Sequence, residues 1–312
     1  MFFIISSFIY YNTLALLNIY LPFVMKNKIR LVLVLLSIAL LSSAQEQDST
    51  LTNKELRKKR PHYIEFGTGV GVSKYKDLAS SPLIYNALAL NSCIGYLKQD
   101  YKRESKIQLR TTTGSYIPNK EGVTTKSSAF IFDFSITKLY ALNKFSNQKW
   151  NFKVGGLVDF SLITRVNSSL QNNALGVDMF ANLMGSGKVT RDVSRKNAKQ
   201  KKFLWIKYNL QPRKRDLSFN LNIGLINSYY RNPYAYLGQS SVVNKTVFFD
   251  GYKYHIFSGL RFRTELIYTI YLKNKNALQI SYIWDGYRTK SDIDSFGMIN
   301  NIFKFSFLFN TK

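Results

Sequence analysis

Apolar and polar residues alternate with a period of two along most of this chain. In the clearest segment, residues 301–310, four Phe residues occupy every second position, and Lys304 and Ser306 fall between them. Because successive side chains of a strand point to opposite faces, one face of this strand is aromatic and the other is polar. Such a pattern fits a strand that turns its aromatic face to lipid and its polar face to a lumen.

The same alternation predicts eleven strands, separated by short polar turns and longer loops. Single-chain bacterial membrane barrels have even strand numbers, so we expect one error, in segment 174–210 or in loop 229–258. We therefore predict an all-β protein: a closed antiparallel up-and-down transmembrane β-barrel of about 12 strands. The alternative number is ten strands. The predicted strands cover residues 62–72, 84–96, 107–113, 130–137, 150–162, 174–192, 204–210, 217–225, 260–270, 278–285 and 301–310.

Closure of the sheet follows from the cost of exposing backbone groups to hydrocarbon. Each unpaired N–H or C=O group there costs several kcal/mol, so an open sheet edge is excluded. The first strand, near His62, is therefore predicted to pair with the last strand, near Phe309. A soluble β-sandwich or lipocalin-like barrel has the same period with its Phe residues inside, but the strand lengths and the aromatic content favour the membrane form.

Composition agrees with a barrel rather than with membrane helices. Of the 312 residues, 46% are hydrophobic and 15% are aromatic, yet the mean hydropathy is -0.15. A helical membrane protein would be far more apolar, whereas a barrel distributes its lipid-facing residues over alternating positions. The scarcity of Pro, with 6 residues, suits long uninterrupted strands.

Residues 25–44 have the pattern of a secretory signal. They begin with Met25, continue with three basic residues and a short apolar run, and end in Ser-Ser-Ala. A charged start, a short apolar stretch and small residues at the end are typical of a cleavable signal. We predict cleavage between Ala44 and Gln45.

The segments on either side of this signal have different interpretations. Residues 1–24 carry no charge, and we interpret them as sequence upstream of the native start, with an N-terminal transmembrane helix as the alternative. Residues 45–61 are polar and are predicted to form a periplasmic lead-in. The barrel is predicted to span 62–312.

The chain is strongly basic, with 44 Lys and Arg against 18 Asp and Glu and a formal net charge of +26. Many of the basic residues lie in turns and loops, and no basic helix or nucleic-acid motif occurs, so nucleic acid is not predicted as a partner. Outer-membrane lipid headgroups and lipopolysaccharide are the expected partners of this charge. The single cysteine, Cys93, cannot form an internal disulfide, and no Cys/His spacing predicts a metal site.

The leader, the aromatic two-residue periods, the short polar turns and the Phe-rich last strand resemble the outer-membrane β-barrel proteins of Gram-negative bacteria. The Ser-Ala-Gln junction and segment 278–287 resemble the barrels common in Bacteroidota. This resemblance implies an outer-membrane location, contact with the outer-membrane assembly machinery and a surface or periplasmic protein partner. Many such barrels end on an aromatic residue that the machinery reads; here three residues follow Phe309, which implies an internal assembly signal.

Charged residues occur at inward positions of several predicted strands. Arg261, Arg263 and Glu265 share one face of one strand, and they are our candidates for the charge-selective constriction of a narrow channel. The alternative is a network of ion pairs that fills the lumen, because charges away from bulk water are usually paired. The candidate lumen charges are Arg261, Arg263, Glu265, Arg110, Asp133, Lys153, Asp159 and Asp285, with Glu65 at the same parity.

Catalysis is not predicted. The chain contains two His residues, His62 and His255, and the positions of Ser258 and Glu265 after His255 match no hydrolase motif. No phosphate-binding loop, calcium loop or zinc spacing occurs, so we predict no catalytic, metal or cofactor-binding residue and no cofactor. The predicted function is a narrow, porin-like channel or a structural envelope component. The alternatives are a non-conducting scaffold that binds a partner through loop 229–258 and a lipid-modifying outer-membrane enzyme.

Overall fold

The computed structural model describes residues 60–312 except 121, 124, 196, 204, 232–248, 250 and 291–294. The predicted upstream segment 1–24, the predicted signal 25–44 and nearly all of the predicted lead-in 45–61 therefore lie outside the described residues. Most of the predicted loop 229–258 lies outside them as well.

Ten long antiparallel strands form a closed barrel. They contain 12–19 residues each, more than the roughly 9–11 residues with which a tilted strand crosses a bilayer. Among the described residues, three further short strands lie outside the barrel wall. The strands are β1 (His62–Asp77), β2 (Ser81–Gln99), β3 (Arg103–Pro118), β4 (Ser127–Ala141), β5 (Trp150–Val166), β6 (Leu175–Asp192), β7 (Lys199–Phe203), β8 (Ile206–Leu210), β9 (Arg215–Arg231), β10 (Lys253–Ile256), β11 (Leu260–Tyr271), β12 (Ala277–Arg288) and β13 (Phe296–Asn310).

Each barrel strand pairs with the barrel strand that follows it in the chain. β6 pairs with β9 and β9 pairs with β11, so the short strands between them do not interrupt the wall. β1 pairs with β13 from Tyr63 opposite Asn310 to Asp77 opposite Phe296. The predicted pairing of the first and last strands is confirmed, and it removes the sheet edges.

The strand count of 12 is wrong, and the alternative count of ten is confirmed. The surplus strand is the predicted strand 204–210. This segment contains β8, which pairs with β7 in a separate two-stranded sheet and not with a strand of the wall. Five residues extend only about 17 Å at about 3.3 Å each, which is too short for a tilted strand to cross a bilayer. Part of the predicted loop 229–258 also forms strand, because β9 continues to Arg231 and β10 pairs with its last four residues.

The exterior of the barrel is apolar and its interior is polar. On β13, Phe303 and Phe305 are 55% and 47% exposed, whereas Lys304 and Ser306 between them are buried. A soluble barrel would bury the aromatic residues and expose the lysine. The soluble alternative is therefore wrong for this chain.

The connections define two ends of the barrel. The terminal end, where β1 begins and β13 finishes, carries connections 100–102, 142–149, 193–214 and 272–276; the loop end carries 78–80, 119–126, 167–174, 232–259 and 289–295. The one helix among the described residues is the short 3-10 helix Ser168–Asn173 at the loop end. Among the residues that the structure describes, no helix is long and apolar enough to cross a membrane.

Gly71 allows β1 and β13 to approach closely where they close the barrel. A Cβ atom at Gly71 would lie 2.0 Å from the carbonyl oxygen of Asn301, so even alanine would require the backbone to move. Gly187 on β6 is different, because nothing lies within 4 Å of the position of its Cβ atom. The two glycines therefore form a matched pair for testing closure.

We expect Gly71→Ala to lower the free energy of unfolding by about 1–3 kcal/mol, the usual cost of overpacking. Urea titration of the protein refolded in detergent, followed by gel mobility, measures this change. Gly187→Ala is the control and should change stability by less than about 0.5 kcal/mol. Equal stability of Gly71→Ala and the unaltered chain would contradict the close contact between the first and last strands.

Candidate functional site: a lumen filled by ion pairs

Six charged side chains form a central cluster inside the barrel. Five strands contribute them, and each residue lies at an inward position of its strand and is buried. Three guanidinium groups face three carboxylates, so the cluster has no net formal charge. Its members are Arg110 of β3, Asp133 of β4, Asp159 of β5, Arg261 and Arg263 of β11, and Asp285 of β12.

Asp285 is the shared acceptor of the central cluster. Its carboxylate accepts hydrogen bonds from Arg110 and Arg261, and from Nε of Arg263 at 3.0 Å. Three guanidinium groups therefore converge on one carboxylate that is fully buried. Hydrogen bonds between charged groups are the strong ones in proteins, and this carboxylate holds β3, β11 and β12 together across the lumen.

Asp159 and Asp133 complete the pairing. Asp159 accepts from Nε of Arg261 at 3.1 Å and from Nη2 of Arg263 at 2.9 Å. Asp133 accepts from Nη2 of Arg110 at 2.8 Å. Each arginine of the cluster thus has at least one carboxylate partner, and the cost of burying its charge is offset by pairing.

Neutral polar groups satisfy the remaining acceptors of the central cluster. The Tyr287 hydroxyl donates to Asp133 at 2.7 Å, and the Ser161 hydroxyl donates to the same carboxylate at 2.5 Å. The guanidinium of Arg261 lies 3.6 Å from the centroid of the Tyr287 ring, within the range of a cation–π contact. The cluster therefore has a packed aromatic wall as well as ion pairs.

A second group, the loop-end cluster, lies inside the barrel near its loops. It consists of Asp77, Arg165, Asp178 and Arg231. Arg165 pairs with both carboxylates at 2.5 Å, and Arg231 pairs with them at 2.9 and 3.1 Å. Both guanidinium groups also lie over the ring of Phe296, at 4.6 and 5.5 Å from its centroid. This cluster is neutral and is packed against an apolar ring.

Aromatic side chains surround the loop-end cluster inside the barrel. Tyr75 stacks on Tyr85 with 5.0 Å between ring centroids, and its hydroxyl donates to Ser127 at 2.6 Å. The predicted last strand begins at residue 301, which leaves Phe296 in a loop. This boundary is wrong, because β13 begins at Phe296 and the inward parity of its residues continues to the loop end. The buried aromatic residues are Tyr75, Tyr85, Tyr116, Phe180, Tyr229, Tyr287 and Phe296.

A third group, the seam cluster, lies beside the pairing of β1 with β13. Glu65 accepts from Lys106 at 2.8 Å, from Lys304 at 2.9 Å and from the Ser306 hydroxyl at 3.0 Å. Lys304 also pairs with Glu265 at 3.5 Å. Two lysines face two glutamates, so this cluster is neutral too.

The fourth group, the basal cluster, differs in its charge. Glu104 pairs with Lys188 at 2.7 Å and with Lys153 at 3.4 Å. Lys153 also donates to the backbone carbonyl oxygen of Asp100 at 2.7 Å. One carboxylate is shared by two ammonium groups, so the basal cluster carries one excess positive charge.

Two cavities lie beside these clusters in the part of the chain that the structure describes. Between the central and seam clusters lies a cavity of about 50 Å³, whose walls include Arg110, Arg263 and Glu265. At the terminal end lies a larger cavity of about 420 Å³, with Lys153 and Lys188 of the basal cluster in its wall. Among the described residues, the ion-pair clusters therefore occupy much of the lumen, and the larger cavity lies at the terminal end.

The structure places all eight candidate lumen charges inside the barrel. Arg261 and Arg263, the predicted constriction residues, both contact Asp159 and Asp285. Glu265, their predicted neighbour, belongs instead to the seam cluster. Arg110, Asp133, Asp159 and Asp285 lie in the central cluster, and Lys153 lies in the basal cluster.

Several charged residues of the lumen were not among the candidates. The two-residue period predicts some of them. Continued along β5 beyond Ser161 and Ile163, it places Arg165 on the same inward face. The period gave no signal for which acid would meet which base. The residues missed are Asp77, Glu104, Lys106, Arg165, Asp178, Lys188 and Arg231; Lys304 was placed on the inward face of its strand but was not among the candidates.

The two histidines lie at opposite ends of the barrel. The His255 ring stacks on Tyr229 at the loop end, with 4.7 Å between centroids. The His62 ring contacts the Tyr96 hydroxyl at 3.0 Å at the terminal end. Neither contact joins a general base to a serine nucleophile. Among the described residues, no group of three or more His, Cys, Asp or Glu could hold a metal ion.

A closed antiparallel sheet with an apolar exterior and a charged interior defines a transmembrane β-barrel.

No family model and no curated protein matches the sequence. Among solved structures, the transport unit of the autotransporter AIDA-I from Escherichia coli is similar, with 8% identity and a TM-score of 0.41 over 88% of this chain and 96% of that one. The translocator domain of NalP from Neisseria meningitidis has 8% identity and a TM-score of 0.34, over 86% and 92%. An outer membrane channel from Pseudomonas putida F1 has 7% identity and a TM-score of 0.29, over 80% and 95%. The assignment to this class of fold rests on the surfaces of the barrel itself.

Proposed function

We propose that this chain is a non-conducting outer-membrane β-barrel that serves as a structural component of the envelope. The observation that carries the proposal is the set of buried ion pairs in the described part of the lumen, which form three neutral clusters and the basal cluster. A conducting pore needs a continuous aqueous path whose charged groups bind ions weakly enough to release them. Here the guanidinium groups of Arg261 and Arg263 are committed to carboxylates, which favours the structural role over the narrow channel.

Planar-bilayer recording tests this proposal. We expect the purified protein to give no stepwise current, because the central and loop-end clusters block the path of hydrated ions. An open porin purified in the same detergent is the control for insertion. Regular ion-selective steps that change when Arg261 becomes Gln would contradict the proposal and establish the narrow channel.

The proposed location is the outer membrane of a Gram-negative bacterium of the Bacteroidota type. Basic side chains over exposed or half-buried aromatic rings near the terminal end support contact with anionic lipid headgroups. Lys98 lies 5.3 Å from the Tyr96 ring centroid, and Arg191 lies 5.2 Å from that of Trp150. The outer-membrane assembly machinery is the proposed folding partner, export uses the predicted signal, and lipopolysaccharide is the proposed contact at the loop end.

A second candidate function is a scaffold that binds a surface protein through loop 229–258. The observation in its favour is a short exposed apolar segment at the loop end. Tyr254, Ile256 and Phe257 are 58%, 55% and 74% exposed, and single-chain barrels carry their longer loops on the extracellular side. No enzymatic step is proposed, because His255 stacks on Tyr229 rather than facing a nucleophile.

The structure changes how this scaffold should be tested. Deleting residues 229–258 would also remove Arg231, which pairs with Asp77 and Asp178 inside the barrel. We therefore expect the full deletion to destabilise the loop end whether or not a partner binds. Replacing Tyr254, Ile256 and Phe257 by Ser should leave gel mobility unchanged and should abolish copurification of a surface partner after crosslinking. Unchanged copurification would remove this candidate.

A further inference from the structure

The open cavity at the terminal end has the size of a site for a small molecule. Its volume of about 420 Å³ falls within the usual range of about 300–1,000 Å³ for ligand sites. The ion-pair clusters support the structural role of the barrel. That role does not explain why a large cavity lies at the terminal end. The cavity is on the side of the barrel where β1 begins and β13 ends.

The inner part of this cavity has unused donors and an excess positive charge. Lys188 is 9% exposed, and Glu104 is its one hydrogen-bond acceptor among the residues that the structure describes. An ammonium group has three donors, so Lys188 can donate to a ligand as well. Glu104 is already shared with Lys153. A ligand carboxylate beside Lys188 would therefore neutralise the basal cluster.

The charges at the rim of the cavity are balanced. Its rim carries three acids, Asp100, Asp192 and Asp216, and two lysines, Lys149 and Lys214; the third cation is Arg60, next to the rim. Asp100 is paired with an arginine just before β1, Arg60, at 2.5 Å. The excess positive charge therefore belongs to the basal cluster, whose lysines are buried, and charged hydrogen bonds are stronger where solvent screening is weaker.

The side wall of the cavity consists of hydroxyl and amide groups. Thr190 and Ser218 share a hydrogen bond of 2.9 Å between their hydroxyls. Gln279 donates to the Thr269 hydroxyl at 3.1 Å. Hydroxyl oxygens and amides both donate and accept, and each hydroxyl retains lone pairs for a further partner. Such a wall suits a ligand that itself carries several hydroxyl groups.

We propose that the terminal-end cavity binds a small carboxylated, hydroxyl-rich molecule of the sugar-acid class. The carboxylate accepts from Lys188 and Lys153 at the inner end, and the hydroxyl groups of the ligand bond to the side wall. This function is separate from the structural role of the barrel. Loss of one therefore does not imply loss of the other.

Isothermal titration of the refolded barrel with D-glucuronate tests the site, with D-glucose as the neutral probe. We expect glucuronate to bind at least about tenfold more tightly than glucose, since a charged hydrogen bond contributes roughly 1.5–3 kcal/mol. Lys188→Met should reduce glucuronate affinity about tenfold, and Lys188→Arg should retain it. Lys188→Met leaves Glu104 paired with Lys153, so the variant should still fold.

Lys138→Met is the matched control, because Lys138 is an exposed β4 residue that is not part of the cavity wall. It should bind glucuronate as the unaltered chain does. A second measurement needs no variant: binding of glucuronate to the unaltered chain should weaken as sodium acetate is added. Equal binding of glucuronate and glucose, no binding of either, or full affinity in Lys188→Met would overturn the proposal.

Discussion

Replacing Phe303 by Lys is expected to prevent stable insertion of the barrel into lipid. Phe303 is the middle residue of β13 and is 55% exposed on the outer face. A lysine on the lipid face costs about 2–4 kcal/mol at the bilayer midplane. Urea titration in phospholipid vesicles, read by gel mobility, measures the lost stability.

Phe309→Lys is the matched control for this substitution. Phe309 has a similar exposure of 50% but lies one residue before the end of the same strand. Close to the interface a lysine costs only about 0–1 kcal/mol. Equal effects at the two positions would contradict the assignment of the exterior to lipid, because in water an exposed lysine is tolerated at both.

The second large effect is expected from Asp285→Ala. This change removes the shared acceptor of the central cluster and leaves three arginines facing two aspartates. Removing one partner of a buried ion pair costs about 3–5 kcal/mol, since the remaining charge stays buried and uncompensated. We expect loss of the folded form at urea concentrations at which the unaltered barrel is stable.

A charge-balanced variant separates this cause from simple loss of packing. In Asp285→Ala/Arg261→Ala, Arg110 retains Asp133 and Arg263 retains Asp159. The double variant should therefore be more stable than the single variant, although it lacks more atoms. The opposite order would show that the central cluster contributes packing rather than charge pairing. Asp192→Ala, an exposed acid at the end of β6, is the control for loss of a carboxylate.

Much of the barrel could be predicted from the sequence because a strand has a strict period of two. The positions of Phe303 outside and Lys304 inside follow from parity once one face is assigned to lipid. The closure of β1 on β13 follows from the cost of an open edge in hydrocarbon. These inferences need no knowledge of which residues meet across the lumen.

The strand count and the ion-pair partners required the structure. Segment 204–210 has the right alternation, but alternation does not distinguish a spanning strand from a short hairpin outside the wall. Asp77 and Arg165 are 88 residues apart in the chain and meet only because the strands have a particular tilt and register. Phe296 was missed for another reason: it lies before the predicted start of the last strand, and an aromatic residue suits lipid and a packed lumen equally well.

This chain closes into a transmembrane barrel with lipid outside and paired charges inside. Gel mobility of the protein from an outer-membrane fraction, compared before and after boiling, tests this closure most directly. A barrel in which every wall strand is paired resists unfolding by detergent, so we predict that the unboiled protein migrates differently and shifts on heating. Recovery of the protein in the soluble periplasmic fraction, with the same mobility before and after boiling, would contradict the account.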